Sequence, residues 1–253
     1  MNSKAVSEVT SYMFILGIVM VSITYALVQV SMTIKDVSDK NKIEGLRESF
    51  KRIQNIFFLS AYGGAPLQTI QLEIQGGKLY LSPEPKVMIK IDDHVFLEDF
   101  IGSLIFEYGD FTVSIENGAV YENYFRYKRT TVDPRIFIQK VEVQGVPGSY
   151  HKVLTVIIYR IHGNLSVSGL GAVKLIFSSK VNGSVLVEEP GTLILEIENS
   201  QFSDRWWEYL NILEASVVPK KRPEPGEVVR AEIPFDKLVL IVLDVDVKYK
   251  VTV

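Results

Sequence analysis

The chain has 253 residues, a formal net charge of −3, no cysteine and a 47% hydrophobic composition. So small a negative charge gives no electrostatic case for a nucleic-acid partner or a strongly acidic substrate. Without cysteine there are no disulfides, no thiolate catalysis and no zinc–thiolate site, so any β domain must be held by its apolar core alone.

The first element is the most informative. From Val9 to Ile34 there is no Asp, Glu, Lys, Arg or His, a run of 26 residues. As a helix it reaches about 39 Å, more than the roughly 30 Å of a bilayer's hydrocarbon core. Backbone polar groups in lipid must be satisfied within the segment, which makes it helical. Two other readings compete. A cleaved secretory signal has a shorter apolar core and a small-x-small cleavage site, whereas this chain continues past Val30 as Ser31-Met-Thr-Ile-Lys-Asp-Val37. A buried core helix rarely goes so long without a charge. The expected organisation is a short tail at 1–8 and a transmembrane helix at 9–34. Glu8 sits at the apolar edge, where a carboxylate needs a cationic partner or the headgroup level. Ser22 and Ala26, four apart, offer one face for close helix approach, and Gly17 offers another.

Residues 35–62 continue as an amphipathic helix. Ile43, Leu46, Phe50, Ile53 and Phe57 recur at spacings of 3, 4, 3 and 4, with Lys42, Glu44, Arg47, Glu48, Lys51 and Arg52 between them. Tyr62-Gly-Gly-Ala-Pro66 ends it, because two glycines and a proline do not extend a helix. The basic residues on this flank favour a cytoplasmic location by the positive-inside count, yet large domains translocate regardless of flanking charge. Two sequons, Asn164-Leu-Ser166 and Asn182-Gly-Ser184, are compatible with an outside domain and make both asparagines candidate glycosylation sites. Orientation stays open on these grounds.

After Pro66 the period changes to two. Strands read at 70–74, 78–81, 86–91, 95–97, 111–115, 119–121, 136–143, 152–161, 172–177, 184–187, 192–198 and 228–233. Asn117-Gly118 between two of them is a strong hairpin signal. In the last strand Leu238–Leu243 reads as buried on both faces and 245–253 as half-covered. With one helical island at 203–213, the pattern predicts an antiparallel β-sandwich over 66–253, in one or two lobes.

Few side-chain constellations carry chemistry. Asp92-Asp93-His94 with Glu98 and Asp99 has metal-binding residue types, but reads as a solvated hairpin turn. His151 and His162 are isolated, and no nucleophile elbow, phosphate loop, dinucleotide fingerprint or zinc motif is present. No cofactor and no metal site is therefore expected. Trp206 and Trp207 offer a sugar-stacking platform, or else one tryptophan and Leu210 pack a short helix, with Ser203 as N-cap, against the sandwich. Pro219–Gly226 is a basic, proline-rich loop, either solvated or in contact with anionic headgroups or a surface layer.

The opening Asn2-Ser-Lys-Ala-Val-Ser-Glu-Val9, followed directly by an apolar helix, resembles the class III signal peptide of archaeal type IV pilin-like proteins. Mapped onto this chain, the resemblance implies Lys4-Ala5 as the recognition pair and Val6 as the new amino terminus. Glu8 stands where the common start has proline, as third residue rather than the usual fifth. The segments Asn41–Phe50, Gly64-Ala-Pro66, Ile115–Tyr121 and Arg205–Leu210 extend the resemblance to uncharacterised archaeal membrane-anchored pilin-like proteins. That family implies a cytoplasmic amino terminus and an extracytoplasmic β domain, and it names no substrate. The expectation is a non-enzymatic cell-surface protein, a pilin-like subunit or minor pilin. Its partners would be the lipid bilayer and other subunits through the N-terminal helix, with Gly17, Ser22, Ala26 and Glu8 in assembly. The alternative is a single-pass anchored binding module that contacts surface glycans or a surface layer through Trp206 and Trp207.

Overall fold

Helix α1 runs from Ser3 to Tyr62 without a break. The computed structural model describes residues 3–62, 67–92, 94–125, 127–142, 148–213 and 215–252, with backbone alone at 3–11, 60–62 and 252. The Gly-Gly-Ala-Pro stretch expected to end the helix lies outside the described residues, as do Asp93 and residues 143–147. The chain divides into two compact units, residues 1–46 and 47–253. The last turns of α1, from Arg47 onward, therefore belong with the strands.

Those strands follow in order: β1 (Leu67–Glu73), β2 (Lys78–Ser82), β3 (Lys86–Ile91), β4 (His94–Phe100), β5 (Ser103–Tyr108), β6 (Phe111–Glu116), β7 (Ala119–Tyr124), β8 (Tyr127–Val132), β9 (Ile136–Glu142), β10 (Tyr150–Gly163), β11 (Ser166–Ser168), β12 (Ala172–Val187) and β13 (Gly191–Glu198). Helix α2 (Ser203–Ile212) precedes β14 (Ser216–Val218), β15 (Val229–Phe235) and β16 (Lys237–Thr252). They form three sheets: sheet I in the order β1-β12-β16-β10-β9, sheet II in the order β11-β2-β5-β6-β7-β8, and sheet III in the order β14-β15-β13-β3-β4. The protein is mainly β with a long N-terminal helix, and its sheets are sandwich-like, as the periodicity predicts.

Two features depart from expectation. Every described strand pair but one is antiparallel; the exception is β10 with β16, where Val153 faces Lys237 and Gly163 faces Val247. Five strands intervene between them, so no hairpin forces opposite directions. Residues 172–187 form one strand rather than two, because a bulge between Val181 and Gly183 absorbs the polar Asn-Gly step.

Sheet I carries apolar side chains on both faces. Leu154, Val156 and Ile158 of β10 and Leu238, Leu240 and Val242 of β16 join one core with Val87 and Ile89 of β3 and with Leu193, Leu195 and Ile197 of β13. The opposite parity, Ile157 and Tyr159 with Leu243, Val245 and Val247, is also buried. Phe50, Ile53 and Phe57 of α1 are buried too, and the Phe57 ring lies 5.4 Å from Tyr159 and 5.7 Å from Phe177. This double cover is why Leu238–Leu243 reads as a continuous apolar run. The half-covered reading holds to Val247 and fails beyond it, since Tyr249 and Val251 are exposed.

The Asn117-Gly118 hairpin forms as predicted, with Glu116 paired to Ala119 and both turn residues at positive φ, 48° and 72°. It also docks on sheet I. Strand β9 covers β10 only as far as Val156, and the backbone N–H of Tyr159 donates instead to Asn117 Oδ1 at 3.0 Å. The positive φ at Gly118 favours glycine, and a Cβ there would stand 3.1 Å from the Tyr159 ring, which would have to give by a few tenths of an ångström.

Candidate functional site

In the first unit, the apolar segment of α1 points its side chains outward. Met13, Phe14 and Val21 are 70%, 71% and 71% exposed, and Leu16, Ile18, Ile23 and Leu27 are exposed as well. Several of its polar side chains turn back on their own helix. Ser22 Oγ donates to the Ile18 carbonyl at 2.8 Å, Thr24 Oγ1 to Met20 at 2.8 Å and Thr33 Oγ1 to Gln29 at 3.0 Å. Gln29 Nε2 donates to the Tyr25 hydroxyl at 3.1 Å. A helix whose apolar surface is bare and several of whose hydroxyls bond to its own backbone is suited to lipid rather than to water. Gly17 and Ser22 share a shallow notch of about 320 Å³ with Met13, Phe14, Ile18 and Val21, and Ala26 is not part of it. A Cβ on Gly17 would meet nothing within 4 Å. The side chains of Lys4, Ala5, Val6 and Glu8 lie outside the described residues.

In the second unit, the tryptophans are packing residues. Trp206 is 1% exposed, lies 6.1 Å from the Tyr121 ring and donates through Nε1 to Glu116 Oε2 at 3.2 Å. No face of it is open to a sugar, which corrects the stacking-platform reading. Trp207 is half-buried and donates through Nε1 to the Pro219 carbonyl at 2.7 Å. Ser203 is not the N-cap of α2. Phe202 is, without a side-chain cap bond, while Ser203 Oγ is buried 2.9 Å from the Ser200 carbonyl and 2.8 Å from that of Glu227. Together with Gly226 N–H donating to the Ser200 carbonyl at 2.7 Å, these contacts tie the basic loop to α2. Lys220 and Lys221 stay exposed, whereas Arg222 pairs with Asp204 at 2.8 Å and Glu208 at 3.3 Å.

Glu116 was invisible as a site in the sequence. It is the last residue of β6 and points to the face that packs under α2, where its Oε2 also accepts from Ser200 Oγ at 2.6 Å. Burial raises its pKa to about 7, against the opposing pull of the Ser200 and Trp206 hydrogen bonds and the Lys128 charge. The signal available in the chain was parity alone, since Ser114, Glu116, Ala119 and Tyr121 share that face. Glu122 on the opposite face accepts two bonds from Arg47 Nε, at 2.8 and 3.0 Å, and one from Nη2 at 2.9 Å. Burial would raise its pKa, but hydrogen bonds from Arg47 and Thr131 and the Arg47 charge bring it below the ordinary value.

The described acidic residues near His94, namely Asp92, Glu98 and Asp99, are each engaged by other groups. Asp92 Oδ1 accepts from Thr192 N–H at 2.9 Å, Glu98 pairs with Lys86 at 2.6 Å, and Asp99 pairs with Arg160 at 2.6 Å. Among the described residues no group of three or more His, Asp or Glu is placed to hold a metal. His151 is exposed and His162 lies 3.6 Å from Asp244. Both sequon asparagines are exposed.

These features define a mainly-β protein with one N-terminal helix long and apolar enough to cross a membrane, compatible with a single-pass anchor. Residues 4–248 match the family of unknown function DUF7289, and the chain belongs to that family. A relative from Archaeoglobus fulgidus, described as an uncharacterized protein, is 24% identical over 254 residues, covering 81% of this chain and 82% of its own length. No solved structure matches.

Proposed function

We propose that the chain is a non-enzymatic cell-surface protein held in the membrane by residues 9–34, with its amino terminus in the cytoplasm and its strand-built domain outside. It serves as a pilin-like subunit or minor pilin. The observation that carries this reading is the bare apolar surface of α1, where every residue from Tyr12 to Ile34 is exposed. A core helix of a water-soluble protein would bury that surface. The class III-like opening around Lys4-Ala5-Val6 supports the pilin assignment, and the resemblance to archaeal relatives fits it. The partners are then lipid and neighbouring N-terminal helices, which the Gly17–Ser22 notch lets approach closely.

The alternative of an anchored glycan-binding module is less well supported, because Trp206 is enclosed in the core. The mass of the mature protein from its own membranes tests the proposal. Loss of residues 1–5 is expected, Ala5→Leu should abolish that loss, and Glu8→Gln should reduce filament incorporation while leaving membrane insertion intact. An intact Met1 in wild type, or unchanged filaments in both variants, would overturn the pilin assignment.

A further inference from the structure

We propose that Asn164 carries an N-linked glycan and that Asn182, the other sequon asparagine, does not. The inference rests on the outward placement of the strand-built domain and goes beyond it by distinguishing two positions that are equivalent in the sequence.

Asn164 sits in the two-residue turn between β10 and β11, and its side chain is exposed, with no hydrogen bond to any described residue. Both neighbours anchor the turn. Gly163, at φ +145°, presses its backbone against the Val247 carbonyl so closely that no Cβ fits. Leu165 is buried, and its carbonyl accepts from Leu81 N–H at 3.0 Å. The asparagine between them is thereby pushed into solvent. Ser166, two residues on, is exposed and opens β11, a three-residue strand at the end of sheet II with only β2 beside it. For the transferase to take hold of Asn164-Leu-Ser166, the segment must give up the Leu165–Leu81 bond, the burial of Leu165 and the pairing of a three-residue edge strand, less than the opening of a long central strand.

Asn182 has neither property. It lies within the sixteen-residue β12 at its bulge, where Gly183 and Ser184 pair with Val242 and Ile241 of the central strand β16. Its Nδ2 also donates to Asp244 Oδ2, on a carboxylate that Arg160 already engages. That nitrogen is the atom a glycan would be attached to, and reaching it requires breaking the bond and lifting the middle of the strand.

The chemistry at Asn164 is transfer from a lipid-phosphate-linked oligosaccharide, catalysed by an external transferase. The amide nitrogen forms a bond to C1 of the first sugar as the C1–O bond to the lipid phosphate breaks. The lipid phosphate leaves with the bonding pair, and one amide proton passes to a basic carboxylate of the transferase.

The test is intact-mass and glycopeptide analysis of the full chain purified from its native membranes. Four proteins are compared: wild type, Asn164→Gln, Ser166→Ala and Asn182→Gln. The added sugar mass should be present on the wild-type 164 peptide, absent in the first two variants and unchanged in the third. Because the chain has no cysteine, Lys221→Cys in the exposed loop independently reports orientation by labelling intact cells with a membrane-impermeant maleimide. An unmodified Asn164 in an externally labelled protein would overturn the inference and leave the outward reading intact. An unmodified Asn164 in a protein shielded from the label would overturn both. Sugar on Asn182 would likewise contradict it.

Discussion

Glu116 and Glu122 lie on opposite faces of the β6–β7 hairpin, three register positions apart, and their environments drive their titration in opposite directions. Glu116 has its pKa raised from 4.5 to about 7, so the folded state favours the protonated acid. Its favourable contribution is complete below the unfolded value and is lost as pH rises through about 7, a difference of about 3 kcal/mol in a fully buried site. Denaturant midpoints should therefore fall between pH 5 and pH 8.5, and Glu116→Gln should flatten much of that fall. An identical pH dependence in the variant would remove Glu116 from the account. Glu122 is the reverse: its folded pKa lies below the ordinary value, so its contribution is present above 4.5 and lost as pH falls through the lowered value. Arg47→Met leaves that carboxylate without its three guanidinium bonds and should cost about 2–3 kcal/mol. Adding Glu122→Gln to Arg47→Met should recover part of the loss in the same midpoint measurement.

The elements differ in how visible they were. The long N-terminal helix, the helical island at 203–213 and the Asn117-Gly118 turn each depend on a local rule, and each of these elements forms where the sequence predicts it. Strands β5, β8, β11 and β14 went unread, the last two being only three residues long. Ser103–Tyr108 packs Leu104 and Phe106 into the core but has no clean alternation, and Tyr127–Val132 is polar because it is an edge strand. Packing by a tryptophan was one of the two readings of this helix, but that Trp206 is the enclosed one was illegible, because its partner Glu116 comes under the helix only in the tertiary structure. The two tryptophans should consequently differ. Trp206→Ala empties a core site and should cost about 3–5 kcal/mol, whereas Trp207→Ala loses one bond to Pro219 and part of a face, about 1–2 kcal/mol. Thermal melts of the two variants in detergent check the order, and equal losses would contradict the packing assignment.

For the whole molecule, the central claim is that the exposed apolar helix is solvated by lipid. A bare apolar surface of that length in water would drive aggregation or burial. Cell membranes carrying the native chain should be washed with alkaline carbonate, and the pellet then treated with mild detergent. The account predicts that the chain stays in the washed pellet and is released, folded, by detergent alone. Recovery of the intact chain in the detergent-free supernatant would contradict it.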